Sequence, residues 1–215
     1  MTSGPTMDIL EAKYADNDES TKLFKIFQEL SRPSAIQIDD VIVKSCLNLQ
    51  TNRIYYGNFP EDDRNTFIAS MLESSGFLIK DQTRRSTSQT GKSAGEVDIF
   101  IQDSNHLPIS LIEAFNLTYV DKGYIIKHID KIFTYDANGL QNNYVIVYSN
   151  ALNFNSFYIT YRDFVKSHTF KYPLLRVEED PLIIYSELKR FTFIHNRNGV
   201  EINMHHIVMN LSLPF

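Results

Sequence analysis

Residues 144–149, YVIVYS, make an apolar run with no polar alternation. A strand of this kind is stable only when both of its faces are covered. It therefore asks for a sheet with helices packed on each side. The neighbouring segments supply them. Residues 122–137 place Ile125, Ile129, Ile132 and Phe133 on one helical face, and Asn138-Gly139 ends the helix. Before them, FLIK (77–80), EVDIFIQD (96–103) and LPISLIEAF (107–115) read as strands. The last two are joined by the turn Asp103-Ser104-Asn105-His106 into a hairpin. Helix, strand, hairpin, helix, strand is the order of an α/β fold with a mixed central sheet flanked by helices.

The flanks read differently. Residues 1–20 are polar and acidic and read as a partly ordered arm, with a helix over 21–31 that Pro33 terminates. A second helix is expected over 37–56, running into a short extended piece at Ile54-Tyr55-Tyr56. Pro60 followed by Glu61, Asp62 and Asp63 starts a further helix, since acids favour the positive N-terminal end. The C-terminal part carries an aromatic helix (154–166). It also holds a hairpin, FTFIH (191–195) and VEINMHHIVMNL (200–211), around Asn198-Gly199. This divides the chain into a helical N-terminal lobe (1–58), a core (59–150) and a C-terminal helix and β-hairpin extension packed on the core (151–215).

Composition removes several alternatives. Twelve tyrosines and fifteen phenylalanines are enough for a packed core, which argues against disorder. One cysteine, Cys46, excludes a disulfide framework and a cysteine-rich zinc module. No signal-peptide pattern or membrane-length apolar stretch is visible, so a cytoplasmic protein without a membrane partner is expected. The net charge of −5 disfavours non-specific coating of nucleic acid. Residues 1–63, however, hold eleven acids against six bases, which accounts for that whole imbalance. The rest of the chain is balanced.

Two residues stand out chemically. Asp98 and Glu113 are acids set among the apolar residues of VDIFI and ISLIEAF, the two arms of one hairpin, fifteen residues apart. A carboxylate there is costly unless paired, and a divalent cation is one such partner. Over residues 80–95, Lys80, Arg84, Arg85 and Lys92 stand among hydroxyl residues against Asp81 alone, a pattern suited to phosphate contacts beside Asp98. Glu61, Asn65, Ile68 and Leu72 share one helical stripe, so Glu61 can face inward at its end. Lys127 and Lys131 also share a helical face, with His128 beside them. Other candidates read as structural. Gly91-Lys92-Ser93 lacks the helix a phosphate-binding loop requires. His205 and His206 point to opposite faces of a strand, and His195 precedes a turn.

Residues 60–150, with the acidic-start helix, the hairpin GEVDIFI and ISLIEAF, and the helix-strand pair that follows, resemble the PD-(D/E)XK nuclease superfamily. Within it they look most like nuclease domains of bacterial restriction and anti-phage defence systems. The resemblance implies a restriction-endonuclease-like core and a Mg²⁺-dependent endonuclease acting on DNA, with Mn²⁺ able to substitute. Asp98 matches the motif aspartate and Glu113 the glutamate, both metal ligands, with Glu61 as an additional acid. The motif lysine would be residue 115, which is Phe. Lys131, or else Lys92, is the expected replacement, and Arg84, Arg85, Lys92 and Lys127 the expected nucleic-acid contacts. The alternative is a catalytically weak or inactive module of the same fold that binds nucleic acid or a partner protein. A homodimer or a defence-complex partner would then use the acidic, aromatic flanks.

Overall fold

The apolar run at 144–149 becomes the middle strand of a seven-stranded sheet. In the computed structural model, which describes residues 7–30, 35–81, 97–179 and 185–213, the chain runs α1 (Met7–Lys13), α2 (Glu19–Leu30), α3 (Ala35–Thr51), α4 (Arg53–Tyr56), α5 (Glu61–Ser74), β1 (Leu78–Asp81), β2 (Ile99–Gln102), β3 (Pro108–Leu117), α6 (Lys122–Tyr135), β4 (Asn142–Ser149), α7 (Phe154–Lys166), β5 (Leu174–Glu179), β6 (Leu188–Arg197) and β7 (Val200–Asn210). The strand order is β1-β2-β3-β4-β7-β6-β5. The β3–β4 and β4–β7 ladders are parallel and the other four antiparallel. The fold is thus α/β, with a mixed and mostly antiparallel sheet flanked by helices.

Strand alternation divides the core into two layers. Ile112, Ala114, Tyr144, Ile146, Tyr148, Ile207 and Met209 face α3 and α5, where Ile42, Cys46, Ile68 and Leu72 are buried. Phe115, Leu117, Val145, Val147, Phe191, Phe193 and Val208 face α6 and α7, against Ile125, Ile129, Ile132, Phe157 and Tyr161. This is the two-sided cover that YVIVYS demands. The C-terminal hairpin enters the sheet by laying β7 beside β4, from Asn142↔Asn203 to Ser149↔Asn210. Its turn has Asn198 and Gly199 at φ 54° and 85°, the left-handed pair an Asn-Gly hairpin uses. Among the described residues, no helix is long and apolar enough to cross a membrane.

Three local expectations change. Ile54-Tyr55-Tyr56 is helical rather than extended, because the amides of Tyr55 and Tyr56 close back on the Asn52 carbonyl at 2.9 and 3.2 Å. Among the described residues, no strand pairs with this segment. Residues 7–13 of the expected arm form α1. β5, LLRVEE, was not legible as a strand. It is an edge strand whose charges lie exposed, so it carries no buried apolar alternation. The basic loop with Arg84, Arg85 and Lys92 lies outside the described residues.

Arg64 is 1% exposed although it sits in the first turns of α5. Its guanidinium donates to the carbonyls of Tyr56 (3.1 Å) and Gly57 (2.8 Å) and to the Asn116 side chain, and it lies over the Tyr148 ring. It therefore ties the α4–α5 connection to the C-terminal half of β3. Replacing Arg64 by Ala strands three acceptors and is expected to cost about 2–4 kcal/mol. Urea denaturation should report this as a lower midpoint with an unchanged slope.

Candidate metal centre

β2 pairs with β3 only from Ile99↔Ile112 onward in register. Beyond Ile112, β3 continues to Leu117 with β4 on its other edge. The β3 amides on the edge that β2 has left need other acceptors. Two carboxylates take them. Asp98, one residue before β2 begins, accepts from the Ala114 amide at 2.8 Å. Glu61, at the first position of α5, accepts from the Asn116 amide at 3.0 Å. Two acids from distant segments are thereby fixed along one edge of β3. Glu113 lies one residue before the first of these anchor points, Ala114.

Glu113 shares the parity of Phe115 and faces α6 rather than α5. Its side chain is fully buried. A buried carboxylate needs partners, and α6 provides two. His128 Nδ1 lies 2.8 Å from Oε2, and Lys131 Nζ lies 3.2 Å from Oε2 and 3.4 Å from Oε1. The helix presents these groups because His128 and Lys131 are three apart and so share a face. Its start is set by Asp121, whose side chain accepts from the Tyr124 amide at 3.0 Å. Tyr124, one turn earlier, packs its ring 4.4 Å from that of His128. Phe115 packs 5.0 Å from the same imidazole. The Phe115 ring thus backs the imidazole, and Lys131 approaches Glu113 from the helix.

Asp98, Glu113 and His128 each offer a donor atom, and these atoms lie within 4.8 Å of one another. The set is suited to a divalent cation: two carboxylate oxygens and one imidazole nitrogen. The charge balance points the same way. Asp98, Glu113 and Glu61 interact electrostatically, with the Lys131 ammonium as the fixed counter-charge. Burial, and then the charge of Glu113, push the Asp98 carboxyl up to about 7, against the Ala114 amide and Lys131. Burial likewise raises Glu61, opposed by the Asn116 amide and by His128. Burial and the surrounding carboxylates, Glu61 first among them, hold the Tyr124 phenol up to about 12, so it stays a donor at neutral pH.

Of the expected site residues, the structure brings together Asp98, Glu113, Glu61 and Lys131. Lys127 is exposed on α6, one residue before His128. Arg84, Arg85 and Lys92 fall outside the described residues. The sequence reading missed Tyr124 and Arg64. Tyr124 had a usable signal, its four-residue spacing from His128. Arg64 had none, because an arginine in an acidic first turn reads as a surface residue. His205 and His206 are held by structural contacts. His206 stacks on Phe191 and meets the Tyr161 hydroxyl at 3.0 Å, whereas His205 stacks on Tyr144 across the sheet.

No protein-family model, no curated protein and no solved structure matches the chain. What the centre can do is set by its own donor chemistry.

The raised Asp98 gives a signed pH dependence. Its folded value is about 7 against an ordinary 3.8, so the folded chain holds a proton that the unfolded chain releases. The stability this contributes is full below about pH 4 and is lost as pH rises through about 7. Asp98→Asn keeps an oxygen for the Ala114 amide but cannot ionise. In metal-free buffer it is expected to melt with wild type at about pH 3.5, below the unfolded value, and at least about 3 °C above it at pH 8. That shift corresponds to roughly 1 kcal/mol in a chain this size. Differential scanning calorimetry at the two pH values checks both limbs.

Proposed function

We propose that this chain is a metal-dependent endonuclease that hydrolyses phosphodiester bonds of DNA, on a restriction-endonuclease-like core, in restriction or anti-phage defence. The observation that carries the reading is the Lys131 ammonium 3.2 Å from Glu113. The resemblance in sequence required a lysine near Glu113 and found phenylalanine at 115. A lysine on the next helix at contact distance meets the same chemical need. The element order α5-β1-β2-β3-α6-β4, with Asp98 entering β2 and Glu113 inside β3, agrees with the parts of the superfamily core.

Asp98 and Glu113 would hold a divalent ion, Mg²⁺ on the resemblance. When bound, such an ion polarises a phosphoryl oxygen and lowers the pKa of water. The chain's own groups do the rest. Lys131 places a positive charge where negative charge grows on the phosphate, and it can orient the attacking water. Glu61, anchored on the Asn116 amide, is a third acid at the edge of the same site. The water oxygen bonds to phosphorus as the bond to the leaving oxygen breaks; the attacking water gives its proton to solvent, and the leaving oxygen takes one from solvent. Arg84, Arg85, Lys92 and exposed Lys127 would hold the phosphate backbone.

A second reading has one observation in its favour: buried Phe115 stands in the lysine position. A nuclease-fold module with that ring would bind nucleic acid, or dock a partner or a second copy, without cutting. Supercoiled plasmid with Mg²⁺ or Mn²⁺ separates the two. Wild type should nick or linearise it, and Asp98→Ala, Glu113→Ala and Lys131→Ala should each lower the rate at least roughly a hundredfold. Equal cutting by all four proteins overturns the nuclease reading. Retention of DNA in a gel shift with no cutting by wild type establishes the second.

A further inference from the structure

The identity of the ion is written in the third donor. Two carboxylates alone make a site that Mg²⁺ occupies readily, because Mg²⁺ takes oxygen ligands and keeps several waters. Here the donor triangle is closed by an imidazole. Nitrogen is a poor ligand for Mg²⁺ and a good one for first-row transition ions. Among those, Mn²⁺ is the one that also suits carboxylate oxygens, so a set of two carboxylates and one imidazole favours it over Mg²⁺.

The surroundings of His128 add an independent argument. Its ring is pinned between Tyr124 at 4.4 Å and Phe115 at 5.0 Å, and its side chain is only 12% exposed. Aromatic rings occupy that flank, and their faces offer no strong acceptors or donors to a retained water shell. An ion seated beside them must exchange water for protein ligands, which Mg²⁺ does reluctantly. The same packing holds the imidazole in place before any ion arrives, so little side-chain freedom is lost on binding. Phe115 thus has a use of its own: where a lysine would stand, a ring supports a histidine ligand.

We propose that His128 is the third ligand of the centre and that it makes the centre select Mn²⁺ over Mg²⁺. This rests on the reading that Asp98 and Glu113 hold a divalent ion, and it extends that reading to the ion's class.

The test is metal binding by the full chain, read without any substrate. Isothermal titration with MnCl₂ and with MgCl₂ should show Mn²⁺ bound at least about tenfold more tightly, the scale that changes around a metal ligand carry. His128→Gln should remove most of that difference, weakening Mn²⁺ while leaving Mg²⁺ nearly unchanged. Asp98→Ala should weaken both. Pulsed electron paramagnetic resonance of the Mn²⁺-loaded wild type should show nitrogen coupling, and His128→Gln should lose it. If that variant fails to fold by circular dichroism, the nitrogen coupling in wild type decides. Equal affinity for the two ions, an Mn²⁺ preference that survives His128→Gln, or Mn²⁺ bound without nitrogen coupling overturns the proposal. Its failure is distinct from failure of the nuclease reading. Mn²⁺ selectivity without plasmid cleavage leaves the proposal standing and removes the nuclease. Cleavage by a centre indifferent to the two ions does the reverse, and binding of neither ion removes both.

Discussion

The departure of β2 from β3 is the constraint on which the rest of the centre depends. A strand cannot lose its neighbour without leaving amides that need acceptors. The Ala114 and Asn116 amides are answered by Asp98 and Glu61, at 2.8 and 3.0 Å. Backbone satisfaction and site assembly are therefore one event. Acids that would repel one another in the open are held together because each closes a hydrogen bond the sheet needs. The cost shows in their electrostatics, since both carboxyls are pushed up by burial and by their neighbours.

The opposite face of the sheet supplies the compensating groups. Strand alternation turns Glu113 away from α5 and toward α6, where His128 and Lys131 meet it. The centre thus draws on α5, on the strand pair and on α6 together. Arg64 connects two of these regions, reaching from α5 to the Asn116 side chain while it holds the carbonyls before α5. Damage to the α4–α5 connection would reach the centre through that residue. The β4 strand, covered on both faces, provides the rigid reference against which α5 and α6 are placed.

Much of this was legible along the chain. Period-two and helical patterning located β2, β3, α6 and β4, because those segments bury one face or both against a neighbour. Asp98 and Glu113 announced themselves as charges in apolar strands. Lys131 was named through the family resemblance, as a replacement for the motif lysine on the following helix. β5 was not legible, since an exposed edge strand carries no burial pattern. The buried state of Arg64 was hidden too, because its partners are backbone carbonyls, which no sequence displays. The ring packing of Tyr124 and Phe115 on His128 joins residues of β3 and α6 that only the packed layers bring into contact.

By itself, then, the sequence determined the layers and the identity of the charges. Apolar period and the cost of burying a lone carboxylate are local properties of a chain. Tertiary structure alone decided which charges meet. Whether Glu61 reaches the edge of β3 depends on the seating of α5, and whether Lys131 reaches Glu113 and an imidazole joins the two carboxylates depends on the angle of α6 against the sheet. That angle is fixed by the packing of Ile125, Ile129 and Ile132 against Phe115, Val145 and Val147. Those contacts span distant parts of the chain, and no spacing rule expresses them.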